Sequence, residues 1–334
     1  MNLSKKLFTV RNVVLSVVLL VMLVLVLMIP SVASHYILRA TNFAMITVLC
    51  VLSVYVLLGM CGQNSFAQAG FLGCGAYICA NMTVRLGLAP ILGMAIAIAG
   101  TALVAFLLGF AFFRLRQFYF TFSTIGLMVI FNELFKNWTP VTGGSMGFEG
   151  IRSFSIFGIE FATERMNFYL IFAFCVLSYF LVKFLTRTAL GRSFMAIRDN
   201  EIAANCMGIN SLLTKSISFS IAGALCGLAG SLYAFLFGYL SYTSFTYEQS
   251  TRYLVMIMLG GTASPVGAVI GGVSLTLLQE MVRSLQNYML LIFGVGIMIL
   301  MIFQPEGLLG GGRALYGKLS QRLGRNKAAG ADAE

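Results

Sequence analysis

The chain has 334 residues, 59% of them apolar and only 10% charged, with 22 Lys and Arg against 11 Asp and Glu for a formal net charge of +11. An ordinary soluble domain is roughly 45–50% apolar and about 25% charged, and a soluble chain of this size cannot hide so much apolar surface. The composition excludes a disordered chain, a soluble enzyme and a basic nucleic-acid binder. It leaves a polytopic membrane protein whose first partner is the lipid bilayer and for which no nucleic acid is expected.

Taken in chain order, residues 1–12 carry Lys5, Lys6 and Arg11 and read as a short cytoplasmic segment. Val13 to Ile29 is the first apolar run. Its positive head and the small residues after Pro30 also resemble a cleavable signal peptide. The run is longer than an ordinary signal core and further spans follow at once, so an uncleaved helix is preferred. Further spans are expected at about 40–60, 66–84, 90–113, 118–135, 167–185, 216–240, 250–263, 266–283 and 288–303. At ~20 residues per crossing, the reading is an all-α bundle of about ten spans over residues 13–303, with nine possible, followed by a basic cytoplasmic tail at 304–334.

The eighth and ninth spans form one apolar stretch, interrupted at Gly260-Gly261-Thr262-Ala263-Ser264-Pro265. Proline disfavours helix just before itself, so the stretch is either two short spans or one broken helix. Charge favours two crossings. With ten spans and both termini cytoplasmic, only Arg39, Arg85, Lys136, Arg152, Arg165, Arg252 and Arg283 fall outside, and the other 15 of the 22 basic residues fall inside. That split obeys the positive-inside rule. Nine spans would put the basic tail outside.

Two loops are long enough to carry a task. Residues 136–166 face outward and hold the only tryptophan, Trp138, with Thr142, Gly143, Gly144 and Glu149. Trp138 suits either an interface or the headgroup boundary, and the glycines suggest a shaped turn. Residues 186–215 face inward. In the spans themselves, Gln63, Asn64 and Gln68 cluster beside Gly59, Gly62, Gly70, Gly73 and Gly75. The glycines permit close helix packing. The amides must face protein or water, because an unpaired polar group in hydrocarbon costs ~2–7 kcal/mol, and they are candidate path-lining residues. Thr121 and Thr124 form a second polar set, suited either to the path or to bonding their own backbone.

Net transport needs an energy source. Gly312 to Lys318 has the glycine and lysine spacing of a phosphate loop, but Leu319 stands where Ser or Thr would hold magnesium, and no strand precedes it. One histidine, His35, and seven cysteines without a C-x-x-C pair leave no basis for a metal site or a nucleophile–histidine pair. Acidic residues are nearly absent from span interiors, so ion or proton coupling of the usual kind is also missing. The chain is read as neither an enzyme nor an ATPase. It is a passive channel, or its energy arrives from a partner.

The inward loop contains Gly191-Arg192-Ser193-Phe194-Met195-Ala196-Ile197-Arg198-Asp199-Asn200-Glu201-Ile202-Ala203-Ala204 and ends at Gly208. Ser193 to Met207 is expected to be one amphipathic helix with Gly208 as its C-terminal cap. Ile197, Glu201, Ala204 and Gly208 would share one face. It suits either another protein or lipid headgroups. Glu201, Ala203, Ala204 and Gly208 resemble the "EAA" coupling segment of ABC-importer permeases, and the longer string resembles LivM-type branched-chain amino-acid permeases. Five further strings fall in that family's order: Gly62-Gln63-Asn64-Ser65-Phe66 to Tyr77, Arg114 to Phe120, Asn137 to Gly144, Leu259 to Ala268, and Gln304 to Leu308. The resemblance covers roughly residues 40–310.

The resemblance implies an inner-membrane permease that imports Leu, Ile, Val or related small amino acids. It implies a second, similar permease, two cytoplasmic ATPases that use ATP and Mg, and a periplasmic or extracellular binding protein; no cofactor is held by this chain. Arg192, Arg198, Asp199, Glu201, Ala203, Ala204 and Gly208 are the expected ATPase-coupling residues. Trp138, Thr142, Gly143, Gly144 and Glu149 are the expected docking residues for the binding protein. A urea or amide permease of the same family and a stand-alone small-solute channel are the alternative readings.

Overall fold

The computed structural model describes residues 34–281 apart from 116, 157, 158 and 162, together with positions 30, 294 and 298. The expected spans at 13–29 and 288–303, the N-terminal segment and the basic tail lie outside the described residues. Helix α1 (His35–Val54) continues through a π-helical turn, Tyr55–Met60. A non-helical break at 62–67 leads to α2 (Gln68–Ala80), which also runs on as a π turn to Arg85. Then come α3 (Pro90–Phe112), α4 (Gln117–Asn137) and α5 (Glu164–Leu185). The inward segment forms α6 (Ala189–Asp199) and α7 (Glu201–Cys206), and α8 (Ser211–Phe237), α9 (Tyr247–Gly260) and α10 (Pro265–Met281) follow.

Five of these helices are long and apolar enough to cross a membrane: His35–Met60, Pro90–Phe112, Phe118–Asn137, Glu164–Leu185 and Ser211–Phe237. The chain is thus a multi-pass helical membrane protein. The only strands among the described residues are β1 (Ser155–Ile156) and β2 (Ile159–Glu160), an antiparallel pair of two residues each inside the outward loop.

Burial sorts the helices into an inner and an outer set. The apolar window of α1 is 89% buried and that of α8 is 78% buried, whereas α3, α4 and α5 bury only about a third of theirs. A helix apolar all round belongs in the centre of a bundle. The outer helices bury one stripe and turn large side chains such as Leu103, Leu107 and Phe122 outward.

Between apolar helices in lipid, attraction comes from close contact rather than water exclusion, and small residues set that contact. α3 buries Gly93, Ala97, Thr101, Ala105 and Gly109, one every four residues. This stripe lies against Gly223 and Gly227 of α8, and a Cβ on Gly223 would sit 2.5 Å from that of Ala105. On another face of α8, a Cβ on Gly75 of α2 would meet the Gly227 Cα at 2.5 Å and its carbonyl oxygen at 2.7 Å. Three backbones therefore approach at one level. The expected glycine packing is present here.

The interrupted apolar stretch is two helices, α9 and α10, bent by 118° at their break. Gly261 turns the corner at φ +108°. Gly260 and Gly271 then let the two legs touch, since a Cβ on Gly260 would lie 2.8 Å from the Gly271 nitrogen. The corner packs on the end of α1: a Cβ on Gly59 would lie 2.8 Å from the Thr262 carbonyl oxygen.

Gly75→Val should destabilise the chain by about 1–3 kcal/mol or more, because the group it meets is backbone and cannot swing aside. Gly126→Val should change stability little, because a Cβ there meets nothing within 4 Å. Thermal unfolding of the two variants in detergent checks the contrast, and equal midpoints would refute the close-packed centre.

Candidate functional site

The last carbonyls of a helix lack internal partners, and α1 ends inside the bundle, where this matters most. Gln63 N–H donates to the Leu57 oxygen at 2.9 Å and Gly62 N–H to the Leu58 oxygen at 3.2 Å. Gly62 reverses the chain at φ +71°, the usual way a helix is closed. The Gly59 oxygen is bonded from elsewhere in the chain: Arg198 Nη1 of α6 donates to it at 2.7 Å. A guanidinium at the negative end of a helix is also favoured by the helix dipole. The fit is tight, because a Cβ on Gly62 would lie 2.9 Å from Arg198 Cγ. The second basic residue of the expected coupling string is thus seated on the central helix, and its other nitrogens hold Asp199 Oδ1 at 3.0 and 3.1 Å.

The coupling string is not one helix. Asn200 is extended, at φ −160° and ψ 106°, and its side-chain oxygen accepts from Ala203 N–H, so it closes α6 and caps α7. Asparagine competes with helix by capping, which explains the break. The continuous face through Ile197, Glu201, Ala204 and Gly208 is therefore absent. Ile197 and Ala204 are buried within the chain, whereas Glu201, Ala203 and Gly208 are exposed. Gly208 does close α7, at φ +84°. Arg192 is exposed and donates to the Arg187 oxygen at 2.9 Å. Glu201 is engaged inside the chain, accepting from Lys215 Nζ at 2.6 Å; the lysine side chain is only 7% exposed. What projects freely is apolar: Ile202 is 78% and Met207 83% exposed. Both were missed by reading the motif for its polar and small residues. Nothing in the sequence marked them, because their exposure is a property of the folded chain.

The two polar sets expected on the path meet at the break. Thr124 Oγ1 accepts from Phe66 N–H at 3.2 Å and donates to the Thr121 oxygen at 2.7 Å, and Thr121 Oγ1 donates to the Asn64 oxygen at 3.4 Å. Ser250 of α9 accepts from Ala69 N–H at 3.0 Å. These hydroxyls satisfy the orphan N–H groups where α2 begins. Asn64 is exposed. Gln63 and Gln68 are buried, and Gln63 Oε1 and both amide ends of Gln68 have no partner among the described residues. Such a group costs ~1–3 kcal/mol when left unpaired. No three His, Cys, Asp or Glu among the described residues lie close enough to hold a metal ion.

The outward loop is a folded cap. Thr142 is buried and its hydroxyl donates to the Phe135 oxygen at 2.7 Å and accepts from Gly144 N–H at 3.2 Å. Gly143, Gly144 and Gly147 all have positive φ. Phe148 exchanges two backbone bonds with Leu240 at 2.9 and 3.0 Å. Asn81 donates to the Val141 oxygen at 2.8 Å. Thr142, Gly143 and Gly144 therefore shape the loop. Trp138, Met146 and Glu149 are its exposed tip, and Met146, 87% exposed, was not anticipated.

Residues 36–302 match the family described as the permease component of the branched-chain amino acid transport system. The chain is 31% identical over 319 residues to the high-affinity branched-chain amino acid transport system permease protein LivM of Escherichia coli K12, covering 87% of this chain and 74% of that one. The LivM protein of Salmonella typhimurium LT2 gives the same identity and coverage. A shorter stretch of 106 residues is 30% identical to the autoinducer 2 import system permease protein LsrC of Escherichia coli O9:H4, covering 30% of this chain and 31% of that one. No solved structure matches.

Arg198→Met should free the Gly59 carbonyl and cost roughly 1 kcal/mol, the ~1.5–3 kcal/mol of a charged hydrogen bond discounted for a partly exposed guanidinium. Amide exchange at residues 60–66 should then run about five-fold faster, with α3 unchanged. Unaltered exchange at the break would show that the contact does not hold it.

Proposed function

This chain belongs to the family of permease components of the branched-chain amino acid transport system, and from that premise we propose that it is the membrane-spanning subunit of an ABC importer that moves branched-chain or related small amino acids inward. The observation that carries the proposal is the likeness to LivM, 31% identical over 87% of the chain. In this reading the chain sits in a bacterial inner membrane with ten spans and both termini cytoplasmic, which the distribution of basic residues supports. The reversal at α9–α10 fits two crossings, although legs of 14 and 17 residues reach only ~21 and ~26 Å at 1.5 Å per residue, short of a ~30 Å hydrocarbon core.

The partners in this proposal are a second permease, two ATPases that bind ATP and Mg, and a binding protein on the outer side. The family consists of transport subunits, so the driving reaction belongs to the ATPases. Their motion would enter through α6 and α7. Ile202 and Met207 supply the buried apolar contact that a stable interface needs at its centre. Arg198 relays displacement of α6 to the end of α1, and Asp199 orients Arg198. Glu201 holds α7 to α8 through Lys215. The binding protein would dock on Trp138, Met146 and Glu149. Gln63 and Gln68, at the break, are the residues best placed to face a hydrated path.

Ile202→Asp and Met207→Asp should each lose ATPase copurification and reduce ATP-driven leucine uptake at least ten-fold, with membrane insertion intact, because neither side chain is buried in the chain itself. Normal copurification and uptake in both would remove α7 as the coupling element. Cysteines at Ser145 and Glu149 should crosslink to the binding protein, and crosslinks that reach only the permease would move the docking site elsewhere.

A further inference from the structure

A cleft of about 300 Å³ lies between α1, α2, α8 and α9, beside the α8–α9 connection. One wall is apolar: Phe43, Ile46, Leu72 and Tyr233. The aromatic part of that wall is held in place, with the Tyr233 ring 6.4 Å from Phe43 and 5.7 Å from Phe245. The opposite wall is α9, which contributes Glu248 and Arg252. Gln249 stands between them in sequence and donates to the Tyr253 hydroxyl at 3.2 Å, which fixes the helix face.

The two charges are the telling feature. Glu and Arg four residues apart on one helix face ordinarily pair. Here neither forms an ion pair or a side-chain hydrogen bond among the described residues. Two opposite charges therefore stand one helical turn apart, open to the same cleft and facing an apolar wall. Glu248 also lies in the first turn of α9, where the helix dipole favours a carboxylate. That accounts for Glu248 alone and leaves Arg252 and the apolar wall without a reason.

A ligand that answers all three features carries an ammonium, a carboxylate and a compact apolar group. We propose that this cleft binds a free α-amino acid with an apolar side chain: Glu248 takes its ammonium, Arg252 its carboxylate, and Phe43, Ile46, Leu72 and Tyr233 its side chain. The volume matches the small end of ligand sites. The site rests on the reading of this chain as an amino-acid permease, and it adds a place within the permease where substrate chemistry is checked after release from any outer partner.

The test is direct binding of radiolabelled leucine to the full-length chain, with its partner permease, in lipid nanodiscs. Glu248→Gln and Arg252→Gln should each weaken binding about ten-fold. In the parent protein, 4-methylpentanoate, which lacks the ammonium, and leucinol, which lacks the carboxylate, should compete at least ten-fold less well than leucine. In Glu248→Gln the penalty on 4-methylpentanoate should shrink, and in Arg252→Gln that on leucinol. Should either Gln variant fail to insert, Glu248→Asp and Arg252→Lys decide by the same measurement. Unchanged leucine binding in both variants, or competition by either analogue as strong as that of leucine itself, overturns the site. ATP-driven uptake by the whole complex is measured in parallel. Leucine uptake that persists at the parent level in both variants removes the cleft and spares the permease reading. A parent complex that takes up no amino acid removes both.

Discussion

The Gly59 carbonyl is the constraint on which one half of the molecule turns. It lies in the last turn of the most buried long helix, where water is scarce and a missing partner is costly. Its bond comes from Arg198, 139 residues later in the chain. Three elements are thereby held at one point: the end of α1, the end of α6, and the α9–α10 corner packed on Gly59. Without that bond the helix end would need another donor, and the break after it would lose its fixed course.

The break then organises its own neighbourhood by the same rule. Irregular backbone inside a membrane protein persists only where protein satisfies it. Thr124, Ser65 and Ser250 each accept one N–H from the start of α2. Those hydroxyls arrive from α4, the break itself and α9, so three elements are tied to one turn of chain. Gln68, next in line, is buried and unpaired among the described residues. The contrast separates two kinds of polar residue that look alike in a hydropathy reading. The hydroxyls close the backbone, whereas the amide is left for something else.

How much of this was legible depends on what each signal measures. Helix existence was legible at every described span, because apolar run length is a one-dimensional property. The packing role of Gly75 was partly legible, since glycine in a membrane helix permits contact without naming its partner, and its partner Gly227 was not singled out. The partners themselves are long-range facts. Nothing local in Arg198 says that it reaches Gly59, and nothing in Glu201 says that Lys215 takes its carboxylate. Asn200 was the one local signal misjudged. Its capping chemistry was present in the sequence, but the motif around it suggested a single helix. Ile202 and Met207 were overlooked for the opposite reason: in a chain that is 59% apolar, two more apolar residues carry no information until their exposure is known.

The two ends of the bundle are built on different terms, and this bears on how such a chain could change shape. The end that carries the 136–166 loop is closed by backbone pairing between Phe148 of that loop and Leu240 of the α8–α9 connection, and by Gly143, Gly144 and Gly147 at positive φ within the loop. These contacts are made by backbone. The inner end is closed by long side chains, Arg198 and Lys215, reaching across elements. Long side chains can follow a moving partner over several ångströms by changing rotamer, whereas paired backbone cannot. Under the proposed coupling, force entering at α7 meets the compliant end first. It passes to α1 through the Arg198 hydrogen bond and to α8 through the Glu201–Lys215 ion pair and the bond from Ser211 N–H to Asn205 Oδ1. A rigid outer cap and a compliant inner seam would let the inner ends of α1, α8 and the α9–α10 corner shift as a group while the outer loop keeps the shape its partner would read.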